Sequence, residues 1–289
     1  MQTYHKPVLV EEVLTALDPN PSKTIVDGTF GGGGHSSRLL EKGSRVIGID
    51  HDQDAIAHAK PLLDKYSTLT LINENFSNIR KVLEQLNIYY IDGILLDLGV
   101  SSWQFDNKAR GFSFQEEAEL DMRMDQNLAV KAKDLLAALG EKELAMLFQR
   151  FGDEPRAKVI AHKIVALRKT KPLETTKELA DLIVKVYGNR HSKLHPATKV
   201  FQALRIAVND ELNSLEQTLP QTIELLKPGG VLVVISFHEG EDRIVKQFIR
   251  KQVELGTLDQ LIKPITPTQE EIQNNPRSRS AKLRVATKT

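Results

Sequence analysis

Cysteine is absent from the 289 residues, so disulfides, cysteine-ligated metals and thiol nucleophiles are excluded. No apolar run reaches the length of a membrane span and no signal-peptide pattern is present, which leads us to expect a cytoplasmic protein without a membrane partner. There is little net charge, only +1, so the global balance names no partner. Its distribution is more telling. Pro155 to Arg205 carries twelve Lys or Arg against three Asp or Glu, Pro276 to Thr289 carries five against none, and Gln115 to Asp125 has five acids and one Arg. The length allows one large or two modest domains with a real core.

The dinucleotide fingerprint Gly-x-Gly-x-x-Gly is also missing. Counted from Gly31 its last position is Ser36, and from Gly32 it is Ser37. What stands there instead is a β-branched run, Thr24-Ile25-Val26, that feeds Asp27-Gly28-Thr29-Phe30-Gly31-Gly32-Gly33-Gly34-His35-Ser36. Glycines at this place let a ligand lie against the main chain. A second strand, Arg45-Val46-Ile47-Gly48-Ile49, ends on Asp50, where related folds grip a ribose diol. Asp27 at the loop mouth would repel a pyrophosphate but suits the ammonium of an amino-acid moiety. The pattern therefore favours S-adenosylmethionine over NAD, with Asp27, Gly31 and Asp50 as contacts.

Strands are predicted near 24–27, 45–50, 68–73 and 91–98, with helices near 35–42, 53–65 and 77–86. Such alternation predicts an α/β doubly wound, Rossmann-like parallel sheet. From about 106 to 215 only helical periodicity is found. Thr175-x-x-Glu178 is a capping box opening a helix that Gly188 should stop. Pro196 suits a first helical turn, and Val200, Phe201, Leu204, Val208, Leu212, Leu215 and Leu219 share one helical face. Strand character returns at Val231 to Phe237. A helix from 241 to about 255 and a strand from Lys282 to Ala286 follow, with Pro264 to Arg279 between them as a long surface connection or lid. The expected organisation is a cofactor-binding domain of 1–105 and 216–289, interrupted by an all-helical domain of 106–215.

Ile91 to Asp97 reads as a buried strand, so Asp97, Ser101 and Ser102 should face the ligand crevice. In this motif and several others the sequence resembles a known family, the bacterial S-adenosylmethionine-dependent methyltransferases that modify N4 of a cytosine in small-subunit ribosomal RNA. The resemblance spans nearly the whole chain. It includes His5-Lys6-Pro7-Val8-Leu9, the 27–36 loop, Asp92 through Ser102, Arg110-Gly111-Phe112-Ser113-Phe114 and Leu120-Asp121-Met122-Arg123-Met124. His195-Pro196-Ala197-Thr198, Ile235-Ser236-Phe237-His238, Glu241 through Lys246 and Asn275 through Ser280 continue it. Trp103 and Glu239-Gly240 depart from the family pattern.

The resemblance implies a class I methyltransferase sheet and a cofactor held by Gly33, Gly34, His35, Asp50, Phe76, Asp97 and Gln104. Phe76 would stack on the adenine, and His35 would present its backbone and cap the following helix. His238 pairs with substrate or satisfies a loop carbonyl. An exocyclic cytosine amine is a poor nucleophile, because its lone pair is delocalised into the ring. An acceptor for its hydrogen would lower the barrier. Asp97 is the candidate, with Ser101 beside it, and no metal is required. The chain lacks the Asp/Asn-Pro-Pro-aromatic loop of amino-methylating DNA enzymes at this position.

The expected partner is small-subunit rRNA, met by Arg156, Lys158, Lys163, Arg168, Lys169, Lys171, Arg190, Lys193 and Lys199. Phe112, Phe114 and Trp103 would either offer stacking surfaces to an unstacked base or belong to the core, and the protein would be a monomer or homodimer. The alternatives are another acceptor such as DNA or protein, and a cofactor-binding RNA scaffold without turnover.

Overall fold

The structure, a computed structural model, describes residues 7–188, 195–260 and 263–289. His5, Lys6, Arg190, Lys193 and the Ser102 side chain lie outside the described residues. The chain forms two compact units, Met1–Ser101 with Leu212–Thr289, and Ser102–Glu211.

The first unit is built on seven strands: β1 Thr24–Asp27, β2 Arg45–Asp50, β3 Leu69–Asn73, β4 Ile91–Asp97, β5 Leu226–Ser236, β6 Leu258–Gln260 and β7 Lys282–Lys288. Their order is β3-β2-β1-β4-β5-β7-β6. Pairing is parallel from β3 through β5, and β7 runs antiparallel to both β5 and β6. Alternate residues serve opposite faces. Val26, Ile47, Ile94, Leu96 and Val234 belong to one core cluster, with Ile79 and Leu83 from the Ile79–Gln85 helix and Leu215 and Leu219 from the Glu211–Leu225 helix. Ile25, Val46, Leu95 and Val233 belong to the other, with Val13 and Leu17 from Val10–Leu17 and Leu39 from Gly34–Glu41. Both faces are thus covered, which is why β1 and β4 read as unbroken apolar runs. The strand order reverses between β1 and β4, so their carboxyl ends open a crevice for a ligand.

Four expectations for the elements need correction. The 53–65 helix divides into Gln53–His58 and Lys60–Lys65, with Pro61 in the first turn of the second helix, where it has no N–H to continue the ladder. The single face from Val200 to Leu219 divides as well. Thr198–Asn209 ends at Asp210, whose φ of 50° is left-handed, and Pro196 lies before its first turn. Pro264 to Arg279 is no plain connection: it carries the Gln269–Asn274 helix and a 3-10 turn over Pro276–Ser280, and Ile265 bridges Leu283. The sheet also gains an unexpected edge strand, β6, which has too few residues to show a period.

The second unit packs helices Ala132–Ala138, Glu141–Gly152, Ala157–Arg168, Thr176–Tyr187 and Thr198–Asn209 around Leu136, Phe148, Ile160, Ile164, Ile183 and Leu204, all buried. Thr175 Oγ1 accepts the Glu178 N–H at 3.3 Å, and Glu178 Oε2 accepts the Thr175 N–H at 3.2 Å. Gly188 ends that helix at φ 62°. Phe112 is buried, and Phe114 stacks on His195 with ring centroids 4.4 Å apart and meets Phe201 edge-on at 5.0 Å. Both rings take part in the unit's own packing. Trp103 carries the Arg110 guanidinium 5.5 Å from its ring centre.

Gly33 shows how tightly the loop is built. Its φ is +71°, and an added Cβ would stand 2.6 Å from Leu62 Cδ1 and 2.7 Å from Phe30 Cζ. Gly33→Ala should therefore lose about 1–3 kcal/mol through overpacking and left-handed strain. Thermal unfolding with and without cofactor checks this, and an unchanged melting temperature would contradict it.

Candidate active site at the strand-order reversal

The carboxyl ends of β1, β2 and β4 bring four acidic and polar positions to one place. Asp50, ending β2, accepts the Gly31 N–H on Oδ2 (2.7 Å) and the Asp52 N–H on Oδ1 (2.8 Å). A carboxylate oxygen has about two acceptor sites, so each keeps one free for a diol hydroxyl. Burial raises the Asp50 pKa, and His51 together with the two backbone amides opposes the rise. Ser101 approaches the same glycine, its Cβ 3.6 Å from where a Gly31 Cβ would be. Phe76, capped into place by Asn75 Oδ1 accepting the Ser77 N–H (2.8 Å), is half-buried, with its Cβ 3.4 Å from the Cβ position of Gly28.

Asp27 is 2% exposed and is already engaged: Oδ2 accepts from Ser36 Oγ (2.7 Å) and Oδ1 from the Thr29 N–H (3.3 Å). Burial pushes its carboxyl up to about 6, against the lowering by Ser36 and His35.

Asp97 ends β4. Its N–H donates to Thr29 Oγ1 (2.6 Å), and its Oδ2 lies 3.5 Å from His35 Nδ1. Its Oδ1 is buried without a hydrogen-bond partner. Burial, reinforced by the charge of Glu241, raises this carboxyl to about 7. An unsatisfied buried acceptor costs about 1–3 kcal/mol, so it marks a place where a ligand donor fits.

His35 does not cap its helix as expected. Gly33 is the capping residue and makes no side-chain bond, while the His35 ring turns inward with Nε2 2.8 Å from the Val8 carbonyl. Burial lowers the His35 pKa, with Asp27, Val8 and Glu271 opposing. His238 does not satisfy a loop carbonyl. It caps the Glu239–Glu254 helix, its Nδ1 accepting the Glu241 N–H at 3.4 Å, and its Nε2 lies 3.1 Å from Glu241 Oε1. Glu241 Oε2 accepts the Phe237 N–H at 2.7 Å, so one buried acid holds the turn after β5. Sequence reasoning missed Thr29, Ser36 and Glu241; the His238-x-x-Glu241 spacing was the available signal for the last.

Gln104 is buried on the Ser102–Asp106 helix and belongs to the second unit. Gly33 and Gly34 line a cleft of about 770 Å³ with Pro7, Ser37, Arg38 and Glu271 among its other walls, and neither Asp50 nor Asp97 lines it. Among the described residues no group of three or more His, Asp or Glu is placed to hold a metal ion. No helix among them is long and apolar enough to cross a membrane.

A glycine loop, a diol-ready acid and an orphan acceptor at one crevice invite comparison with known proteins. The model of the MraW methylase family matches residues 2–289. The chain belongs to that family. Among curated relatives, it is 45% identical to the ribosomal RNA small subunit methyltransferase H of Thermomicrobium roseum, over 99% of this chain and 94% of the relative. It is 46% identical to the protein of the same name from Magnetococcus marinus, over 100% of this chain and 99% of the relative. The Carboxydothermus hydrogenoformans protein, again of that name, is 44% identical over 100% and 99%.

Proposed function

We propose that this methylase transfers a methyl group from S-adenosylmethionine to the exocyclic N4 of a cytosine in small-subunit ribosomal RNA. The observation that carries the reading is the orphan Asp97 Oδ1 at the crevice, in a chain whose relatives are named for methylation of that rRNA. The residues fit the cofactor by their own chemistry. Asp50 offers one acceptor site per oxygen to a ribose diol, Gly31, Gly33 and Gly34 let the backbone approach, and Phe76 presents a ring for the adenine. His35 lends its main chain, and the family resemblance adds the Gln104 side-chain amide. Asp27 supplies negative charge beneath the loop for an ammonium group. When bound, S-adenosylmethionine supplies an electrophilic methyl group on a sulfonium.

The chain's own residues then do three things. They hold the amine in line, where positioning supplies most of the acceleration. Asp97 accepts the amine hydrogen as the nitrogen gains positive charge, with Ser101 beside it as a further polar contact. The Asp97 carboxyl is itself buried beside the core leucines of β4, and that low-dielectric setting strengthens its interaction with the amine.

The helical unit is assigned to RNA. Four of the expected basic contacts are engaged internally. Arg156 donates to the Val186 carbonyl, Arg168 to the Leu136 and Leu139 carbonyls, and Lys199 to the Asp153 carbonyl, while Lys171 pairs with Glu178. Lys158, Lys163 and Lys169 are exposed on and just after one helix, and they are the better phosphate contacts. Changing all three to Gln should weaken binding of small subunits and lower the salt slope by roughly one for each phosphate no longer neutralised. A fluorescence titration across salt concentrations reads this, and parallel slopes would move the RNA surface elsewhere.

The reading is tested by transfer of tritiated methyl from S-adenosylmethionine to small subunits that lack the modification, with naked rRNA alongside. Label in the RNA fraction supports it. Cofactor binding with no transfer to either substrate would replace it with the scaffold reading, and label in ribosomal protein or DNA with another acceptor.

A further inference from the structure

We propose that His35 is a positioning residue: it holds one proton against Asp97 Oδ2, leaves Oδ1 as the only face open to the amine, and takes up that proton as the amine's own arrives. This rests on the functional reading above and adds a role that cofactor contact does not supply.

The argument is geometric. A carbonyl oxygen only accepts, so the 2.8 Å contact to Val8 places a hydrogen on His35 Nε2. In the neutral ring Nδ1 then carries a lone pair, and it faces Asp97 Oδ2 at 3.5 Å. An ionised carboxylate also offers only lone pairs. Two lone pairs facing each other where the side chains are 6% and 15% exposed repel, and a proton between them removes the conflict. Oδ1 has no partner, and the Asp97 backbone is fixed by Thr29 Oγ1.

The surrounding charges divide the work. Glu241 favours the proton on Asp97, while Asp27 and Glu271 favour it on the imidazole, against the burial of the ring. When the methylated amine loses its hydrogen, the N–H electron pair stays on nitrogen and the proton goes to Oδ1. The proton already shared moves from Oδ2 to Nδ1. The carboxyl group therefore never carries two protons, and the resulting imidazolium donates to Val8 and faces Asp27 and Glu271.

His35→Gln tests this, because its amide nitrogen can still donate to the Val8 carbonyl while nothing titratable remains at Nδ1. We expect S-adenosylmethionine affinity within about threefold, single-turnover methylation slower by roughly 10- to 100-fold, and an acid limb of the pH–rate profile moved to higher pH, because Asp97 must then lose its own proton before it can accept the amine's. A purely structural role would lower the rate without moving the limb. In the Asp97→Asn background, His35→Gln should add little further loss. Profiles that superpose after scaling, or a loss explained by cofactor affinity alone, would overturn the proposal.

A second reading needs no variant and no turnover. Nitrogen-15 NMR of histidine-labelled wild-type protein should show His35 protonated on Nε2 throughout, with Nδ1 sharing a proton near neutral pH. A neutral ring carrying its hydrogen on Nδ1 would refute the mechanism even if the fold and the methylation hold. Wild-type protein that fails to form N4-methylcytidine would defeat the functional reading while leaving the NMR result to decide the proton.

Discussion

Asp97→Asn should lower single-turnover methylation by roughly 10²–10⁴-fold, the range that a positioned acid–base group contributes, and should at the same time make the cofactor-free protein more stable at pH 8. The first effect follows from loss of the charge on a buried oxygen that has no hydrogen-bond partner. The second follows from linkage. The carboxyl titrates at an ordinary 3.8 when exposed and at about 7 in the folded protein. Between those values the native state holds a proton that the unfolded chain has released, so this group's contribution to stability falls as pH rises from about 4 through about 7, then levels. A neutral amide escapes that loss, which amounts to an upper figure of about 4 kcal/mol at pH 8. Its Nδ2 hydrogens can also face His35 Nδ1 in place of the shared proton. Denaturant unfolding at pH 8 and pH 4 should thus show the variant ahead at the higher pH and the two proteins close at the lower. Equal stability at pH 8 would contradict the raised carboxyl pKa, and turnover within threefold of wild type would exclude Asp97 as the acceptor of the amine hydrogen. Gaining stability by giving up function is the expected trade where a site keeps an unsatisfied acid.

Asp50→Ala should raise the dissociation constant for S-adenosylmethionine by at least about 100-fold. Charge-assisted hydrogen bonds contribute about 1.5–3 kcal/mol each, and the diol would make two. The same carboxylate ties the Gly31 N–H to the end of β2, so its removal loosens the loop that the cofactor must lie against. Asp50→Asn separates the two effects, since the amide oxygen can still accept from Gly31 while offering the diol one acceptor fewer. An intermediate loss is expected for it. Calorimetric titration with S-adenosylmethionine reads both variants, and an alanine variant that binds within threefold of wild type would place the ribose elsewhere.

The parts of the fold that could be read from sequence are those with a short period and their own punctuation. β1, β2 and β4 are apolar runs that end on Asp27, Asp50 and Asp97, and the parallel sheet explains why both alternations are apolar at once. The Thr175–Glu178 box is a local device and was legible for the same reason. What could not be read depends on contacts distant in sequence. The His35 ring is placed by Val8 and Asp97, and nothing near position 35 announces either. The Gln269–Asn274 helix sits in a polar, proline-bearing stretch, yet Glu271 Oε1 accepts the Leu9 N–H at 2.8 Å and ties the segment to the first helix. Basic residues were countable but not assignable. Arg156 and Arg168 look like phosphate contacts until the carbonyls they serve are seen. Of the two departures from the family pattern, Glu239 pairs with Lys282 at 2.9 Å, and Gly240 sits within the turn capped by His238.

The central claim, an acid at the end of β4 receiving the hydrogen of a cytosine amine, is tested most directly by nucleoside mass spectrometry of small-subunit rRNA after one turnover with the wild-type protein. N4-methylcytidine, formed by wild type and lost with Asp97→Asn, is the predicted product. A methyl group on ring carbon or on ribose would contradict the account, because neither position presents an amine hydrogen to Asp97, and a methyl group on another base would contradict the assignment to cytosine.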